Sequence, residues 1–261
     1  CGKSTLLRAV LGTHPPCEGK IFVGEKAVTG PNRDVGIVYQ HYSLYPFLTA
    51  RQNVAFGLML DETSFPYRIF RPFQWRNLKR VHLEKADAML EKVNLSHALH
   101  LYPSEMSGGM CQRVAIAQAL IMDPKILLLD EPFGALDEAT REHLQLMLLH
   151  LYKENLDAKA RGDAPPYTII IVTHELNEAI FVADRVVGLS QYHSDGSKGA
   201  TIVYDKAAPI YSPSDTKDLA HFVAQKQEIL NAVFDESSQR HFSEFVSYWQ
   251  DIAQAQAAAK V

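Results

Sequence analysis

The chain has 261 residues, 47% of them hydrophobic and 21% charged, with a formal net charge of −4; that length and composition can bury the core of one domain with a subdomain, or of two small ones. The acidic balance excludes a general electrostatic attraction to nucleic acid or anionic lipid, so either partner would need a local patch. No apolar run reaches the ~18–20 residues that cross a bilayer, no secretory leader is read at the start, and Cys1, Cys17 and Cys111 form neither a C-x-x-C pair nor an even disulfide framework, as expected of a reducing, cytoplasmic setting.

In chain order, Cys1-Gly2-Lys3-Ser4-Thr5 reads as the second half of G-x-x-x-x-G-K-[ST] and opens the helical run Leu6-Leu7-Arg8-Ala9-Val10-Leu11. At a helix start these residues place backbone N–H groups and a lysine against phosphates and a hydroxyl on a metal ion. Taken alone, they are equally a helix that happens to begin G-K-S-T. Gly12 stops the helix; Gly19–Gly24 and Val35–Tyr39 read as short strands between Gly and Pro turns. Helical stripes follow over 49–59 and 78–93. Ser107-Gly108-Gly109 caps a further helix and lets backbone amides approach an anion closely; an ordinary capped helix fits the same residues.

From Pro124 the pattern alternates: Ile126–Asp130, a helix over about 137–153, Thr168–Thr173, a helix from Glu175, then Arg185–Leu189. Continuous branched apolar runs between helices predict a parallel sheet covered on both faces. Ligands of such sheets sit beyond the carboxyl ends of the strands, which places Gln40, Asp130, Glu131 and His174 on the side of residues 1–5. An aspartate ending a buried strand beside a phosphate loop can hold Mg²⁺, and the glutamate after it can orient and deprotonate an attacking water. From about 206 the chain reads as two more helices, 215–232 and 236–258, with a frayed end.

Five ordered segments together resemble the ATP-binding subunits of ABC transporters. They are Val38-Tyr39-Gln40 (the Q-loop), the signature helix from Ser107-Gly108-Gly109-Met110 to Ala117, Leu128-Leu129-Asp130-Glu131-Pro132 (Walker B), Gly134-Ala135-Leu136-Asp137 (the D-loop) and Val172-Thr173-His174-Glu175 (the H-loop). The resemblance implies an α/β P-loop NTPase, RecA-like, with an inserted helical subdomain and a C-terminal helical extension. The expected division is 1–48 with 123–205 for the ATPase core, 49–122 for the helical subdomain and 206–261 for the extension.

The resemblance also implies two subunits that each hold ATP between the phosphate loop of one and the Ser107-Gly108-Gly109 helix of the other. By it, Cys1, Gly2, Lys3, Ser4 and Thr5 line the phosphates, Lys3 neutralises them, and Ser4, Asp130 and Gln40 attend the Mg²⁺. Glu131 is the general base, His174 positions the water and Asp137 crosses the dimer interface. Tyr45-Pro46-Phe47-Leu48-Thr49-Ala50 and Glu178–Val186 are similar to importers of the nitrate, sulfonate and taurine type. That subfamily implies a transmembrane permease and an extracytoplasmic substrate-binding protein as partners, a peripheral place on the cytoplasmic face of the inner membrane, and no nucleic acid. The matching part of the phosphate loop begins inside it, so weak ATP binding is expected of these residues by themselves. A soluble ABC-type ATPase acting on nucleic acid or ribosomes, and a non-catalytic regulatory module, are the rival readings.

Two positions depart from the family's pattern: Cys111 stands where a polar or charged residue is usual, and Gln118 where an arginine is. Residues 61–80 are longer than the family's usual segment and interleave Arg68, Arg71, Arg76, Lys79 and Arg80 with Phe65, Tyr67, Phe70, Phe73 and Trp75. That mixture fits a folded surface insert with cation–π contacts, or contact with a permease's cytoplasmic surface or the adjacent lipid. Asp157–Pro166 and Tyr192–Ala200 read as exposed loops.

Overall fold

A computed structural model of the chain describes residues 2–134, 136–190, 200–208 and 219–233. The backbone forms two compact units, one from Ser4 to His174 and one comprising the first three residues with the chain from Glu175 onward.

In the first unit, helix α1 (Lys3–Leu11) ends at Gly12, whose φ is +87°. A β-carbon there would lie 2.5 Å from the carbonyl carbon of Gly30, so both conformation and space require glycine. Strand β1 (Phe22–Val23) turns back into β2 (Lys26–Ala27) as a small antiparallel hairpin, a return not expected from the single strand read over Gly19–Gly24. Strand β3 (Val35–Val38), β4 (Ile126–Asp130) and β5 (Thr168–Val172) form a parallel sheet in the order β3-β4-β5. Leu127, Leu128 and Leu129 of the central strand are wholly buried, which is why that segment reads as an unbroken apolar run. Leu7 and Leu11 of α1 pack with Val23, Val35, Leu128 and Val172 in one core, fixing α1 against the sheet.

The intervening helices are α2 (Ala50–Glu62), α3 (Phe65–Phe70), α4 (Pro72–Lys92) and α5 (Gly108–Leu120). Val54, Leu58, Ala86, Leu90, Val114 and Ile116 are the buried faces along which α2, α4 and α5 meet, and Arg51 of α2 is paired with Asp87 of α4 at 2.6 Å. Both α2 and α4 outrun the stripes expected over 49–59 and 78–93. Pro72, at the start of α4, needs no donor there and has its φ preset for a helix, whereas the mixed polar and aromatic residues up to 77 hide the periodicity. Helix α6 (Glu138–Ala160) likewise absorbs the start of the loop expected at Asp157–Pro166: Leu151, Asn155 and Ala158 are buried along one face, so the helix persists to where Gly162 (φ +82°) ends it.

In the second unit, α7 (Leu176–Val182), β6 (Arg185–Leu189), β7 (Ile202–Ala207) and α8 (Leu219–Val233) share a core of Ile180, Val186, Tyr204, Ala208 and Ile229. Here β6 pairs antiparallel with β7, where the sequence suggested another parallel strand; Arg185 fastens the pair through two 2.7 Å hydrogen bonds to the Asp205 carboxylate. Residues 191–199, most of the loop expected at 192–200, and the helix expected at 236–258 lie outside the described residues. Among the described residues no helix is long and apolar enough to cross a membrane.

Candidate functional site

Parallel pairing aligns the carboxyl ends of three strands. Val38 is in register with Leu129, and Asp130 with Val172. Two residues beyond Val38 and Leu129 come Gln40 and Glu131, and two beyond Val172 comes His174. The fold therefore sets these three polar side chains on one edge.

Contacts on that edge are direct. Ser4, in the first turn of α1, donates its hydroxyl to Asp130 Oδ1 at 3.1 Å. Glu131 Oε2 lies 3.4 Å from His174 Nδ1. Gly134 is flanked by both neighbours: a methyl on it would sit 3.7 Å from Gln40 Nε2 and 3.9 Å from Glu131 Oε2. Glu131 adopts φ +49°, a left-handed conformation that costs a non-glycine residue about 1–3 kcal/mol. Its N–H is held at 2.8 Å by the Val172 carbonyl. The turn that follows keeps the carboxylate at the strand ends instead of continuing β4. Lys3 and Thr5 lie in the first turn of α1, preceded by Gly2 at φ +89°; Cys1 lies outside the described residues.

The donor set fits Mg²⁺. Ser4 and Asp130 offer hydroxyl and carboxylate oxygens, and among the described residues no group of three or more His, Cys, Asp or Glu could hold a metal as a cage. A small cation that keeps its waters and takes phosphate oxygens needs only one or two protein ligands.

A second cluster surrounds the start of α5. The Ser107 hydroxyl accepts from the Met110 N–H at 3.3 Å, capping the helix. Arg113 anchors α5 sideways, its guanidinium donating to the carbonyls of Val93 at 3.3 Å and Asn94 at 3.4 Å, where α4 ends. Gly108 faces the Tyr42 hydroxyl, and Gly109 faces the methyl of Thr140 so closely that a β-carbon would overlap it. Thr140 cannot swing away, because Asp137 accepts from its N–H at 3.0 Å and from its hydroxyl at 2.8 Å. Those two bonds hold the exposed Asp137 carboxyl below its usual range, the backbone donor contributing most. Sequence reading missed Thr140 and Tyr42; the Asp-x-x-Thr spacing of an N-cap was the available signal for Thr140. Gly109→Ala is expected to destabilise the protein by about 1–3 kcal/mol through overpacking. Adding Thr140→Ser, which keeps the cap and removes the methyl, should restore most of it in thermal melts.

Cys111 and Gln118 have different surroundings. The Cys111 thiol is buried, its pKa pushed up by desolvation, with the Pro103 carbonyl 3.6 Å away. It is a small packing residue of α5. Gln118 borders a cleft with Tyr39, Ser43 and Met122.

A phosphate-loop half at a helix start, oxygen ligands beside it and an acid–histidine pair at the carboxyl edge of a parallel sheet define an α/β P-loop NTPase. The chain belongs to the ABC transporter family, whose model matches residues 1–134. It is 42% identical over 189 residues to the nitrate import ATP-binding protein NrtD of Synechocystis sp., a match covering 72% of this chain and 62% of that protein. It is 39% identical over 190 residues to the aliphatic sulfonates import ATP-binding protein SsuB of Bacillus licheniformis, covering 73% and 64%. The chain thus spans less than two thirds of the length of either relative. Among solved structures it is similar to a dimeric post-hydrolysis state of the ATP-binding cassette MJ0796 bound to ADP and Pi, with TM-score 0.58 and 27% identity over 80% of this chain and 82% of that one.

Proposed function

We propose that this chain is the ATP-hydrolysing subunit of an ABC importer for a small anion such as nitrate, a sulfonate or taurine. The observation that carries the reading is the convergence of Gln40, Glu131 and His174 on the strand ends that also carry the Ser4–Asp130 contact. Lys3 and the amides of Gly2 and Lys3 bind the nucleotide's phosphates, with Thr5 beside them. Ser4 and Asp130 hold Mg²⁺, which when bound neutralises charge on the phosphates. Glu131 accepts a proton from the attacking water, His174 positions that water, and Gln40 meets the metal and the γ-phosphate. Ser107, Gly108 and Gly109 serve the nucleotide of a second copy, and Asp137 lies at that interface.

The partners in this reading are a second ATPase subunit, a transmembrane permease and an extracytoplasmic substrate-binding protein, which place the chain peripherally at the cytoplasmic face of the membrane. Likeness to nitrate and sulfonate import subunits supports this assignment. The test is ATP turnover by the protein with its co-purified permease in proteoliposomes. Stimulation by nitrate, a sulfonate or taurine with the binding protein present is the expected result. Turnover that ignores all three overturns the anion assignment, and absence of turnover overturns the ATPase assignment.

A further inference from the structure

The elbow between α3 and α4 carries a surface that nucleotide chemistry does not use. Phe70 ends α3 and Phe73 lies in the first turn of α4; each is 80% exposed, and Ile69 beside them is 57% exposed. Arg76, Lys79 and Arg80 follow at positions three and four apart, which puts them on one side of α4, contiguous with Phe73 at i and i+3. From Thr63 to Leu83 the chain has five Lys or Arg residues and no Asp or Glu. In a molecule of net charge −4, this is the local patch that composition alone did not supply.

Among the described residues, Glu84 is the one acid that reaches it. Asp61 is paired with Arg33 at 2.7 Å, and Glu62 with the buried His82 at 2.9 Å. Glu84 stands 3.8 Å from Arg80, with both side chains well exposed, and among the described residues Arg76 and Lys79 have no ion-pair partner. Arg68, by contrast, is structural: it lies 4.9 Å over the Trp75 ring and donates to Thr63 and to the Met59 carbonyl, bracing the elbow in its bent form. The aromatic pair is thus held outward by a fixed turn and collared by exposed cations.

We propose that this elbow is a docking surface for an anionic lipid bilayer: Phe70 and Phe73 enter the headgroup boundary while Arg76, Lys79 and Arg80 meet lipid phosphates and carboxylates. Exposed aromatics with a cationic collar match the chemistry of an interface that is apolar inside and negative at its surface. A segment with no acid over its whole length has the charge complement of a uniformly negative surface, not of a protein face of mixed sign. The surface does not depend on nucleotide binding or on the importer assignment.

The test is co-sedimentation of the full chain, without nucleotide, with vesicles of phosphatidylcholine alone or with a third of phosphatidylserine. Binding is expected to be roughly 100-fold tighter to the anionic vesicles, as three cations near a charged membrane imply, and to weaken as salt is raised. Phe70→Ser/Phe73→Ser and Arg76→Glu/Lys79→Glu should each reduce it at least tenfold with unchanged melting temperature, since all four residues are exposed. Failure of the wild-type chain to sediment with anionic vesicles overturns the proposal and leaves the elbow to a protein partner. Equal sedimentation of wild type and both double variants also overturns it.

Discussion

Glu131→Gln should lower ATP turnover of the assembled ATPase by about 10²–10⁴-fold, the usual contribution of a positioned general base, while changing nucleotide binding only a few-fold. The glutamine preserves volume and the side chain's place beside His174 and Gly134 but cannot take a proton. Because Glu131 sits where β4 ends, one residue after Asp130, its loss leaves the Ser4–Asp130 contact intact. Turnover and equilibrium binding, measured on the same preparation, separate the two effects. Turnover within a few-fold of wild type would remove Glu131 from the chemistry and return the site to a binding role.

Asn53→Ala is the second large expected effect, and it acts on folding. Asn53 is fully buried in α2 and serves the loop before that helix: its Oδ1 accepts from the Tyr45 N–H at 2.8 Å, and its Nδ2 donates to the carbonyls of Tyr45, Leu48 and Thr49 at 3.1, 2.9 and 3.2 Å. Gln52 adds a bond to the Thr49 N–H at 3.0 Å. Alanine would strand the Tyr45 donor and the Leu48 carbonyl, while the Tyr45 and Thr49 carbonyls keep the backbone N–H groups of Leu48 and residue 53, at an expected cost on the order of 2–4 kcal/mol. For a protein of this size the melting temperature should fall by roughly 5–15 °C. A melting temperature unchanged in Asn53→Ala would show that water replaces these bonds at no cost.

The positions of the candidate site residues were legible because local rules fix their spacing. The run Ile126–Asp130 is buried as the central strand, so its polar end has one place to go, and Val35–Val38 and Thr168–Val172 flank it in parallel. The helix from Ser107 was legible as a capped helix, and only the family resemblance gave its paired glycines a role. Less legible were the helix limits: α4 starts at Pro72, which suits a first turn although none of residues 72–81 is buried, and α6 continues to Ala160 because Leu151, Asn155 and Ala158 remain to be buried. The contact of Gly109 with Thr140 joins positions 31 residues apart and leaves no trace in either local pattern. The β6–β7 pairing was missed for a related reason. Arg185–Leu189 has the apolar character of an inner strand, and only its register with Ile202–Ala207 reveals an antiparallel neighbour.

Helix α4 has a mechanical consequence. Its 21 residues span about 31 Å at 1.5 Å per residue. Arg113 of α5 grips the carbonyls at its far end, and Phe73 stands in the first turn of its near end. The helix is therefore a strut: tied to α2 by the Arg51–Asp87 pair, it holds the aromatic tip about 31 Å from the carbonyls that Arg113 grips.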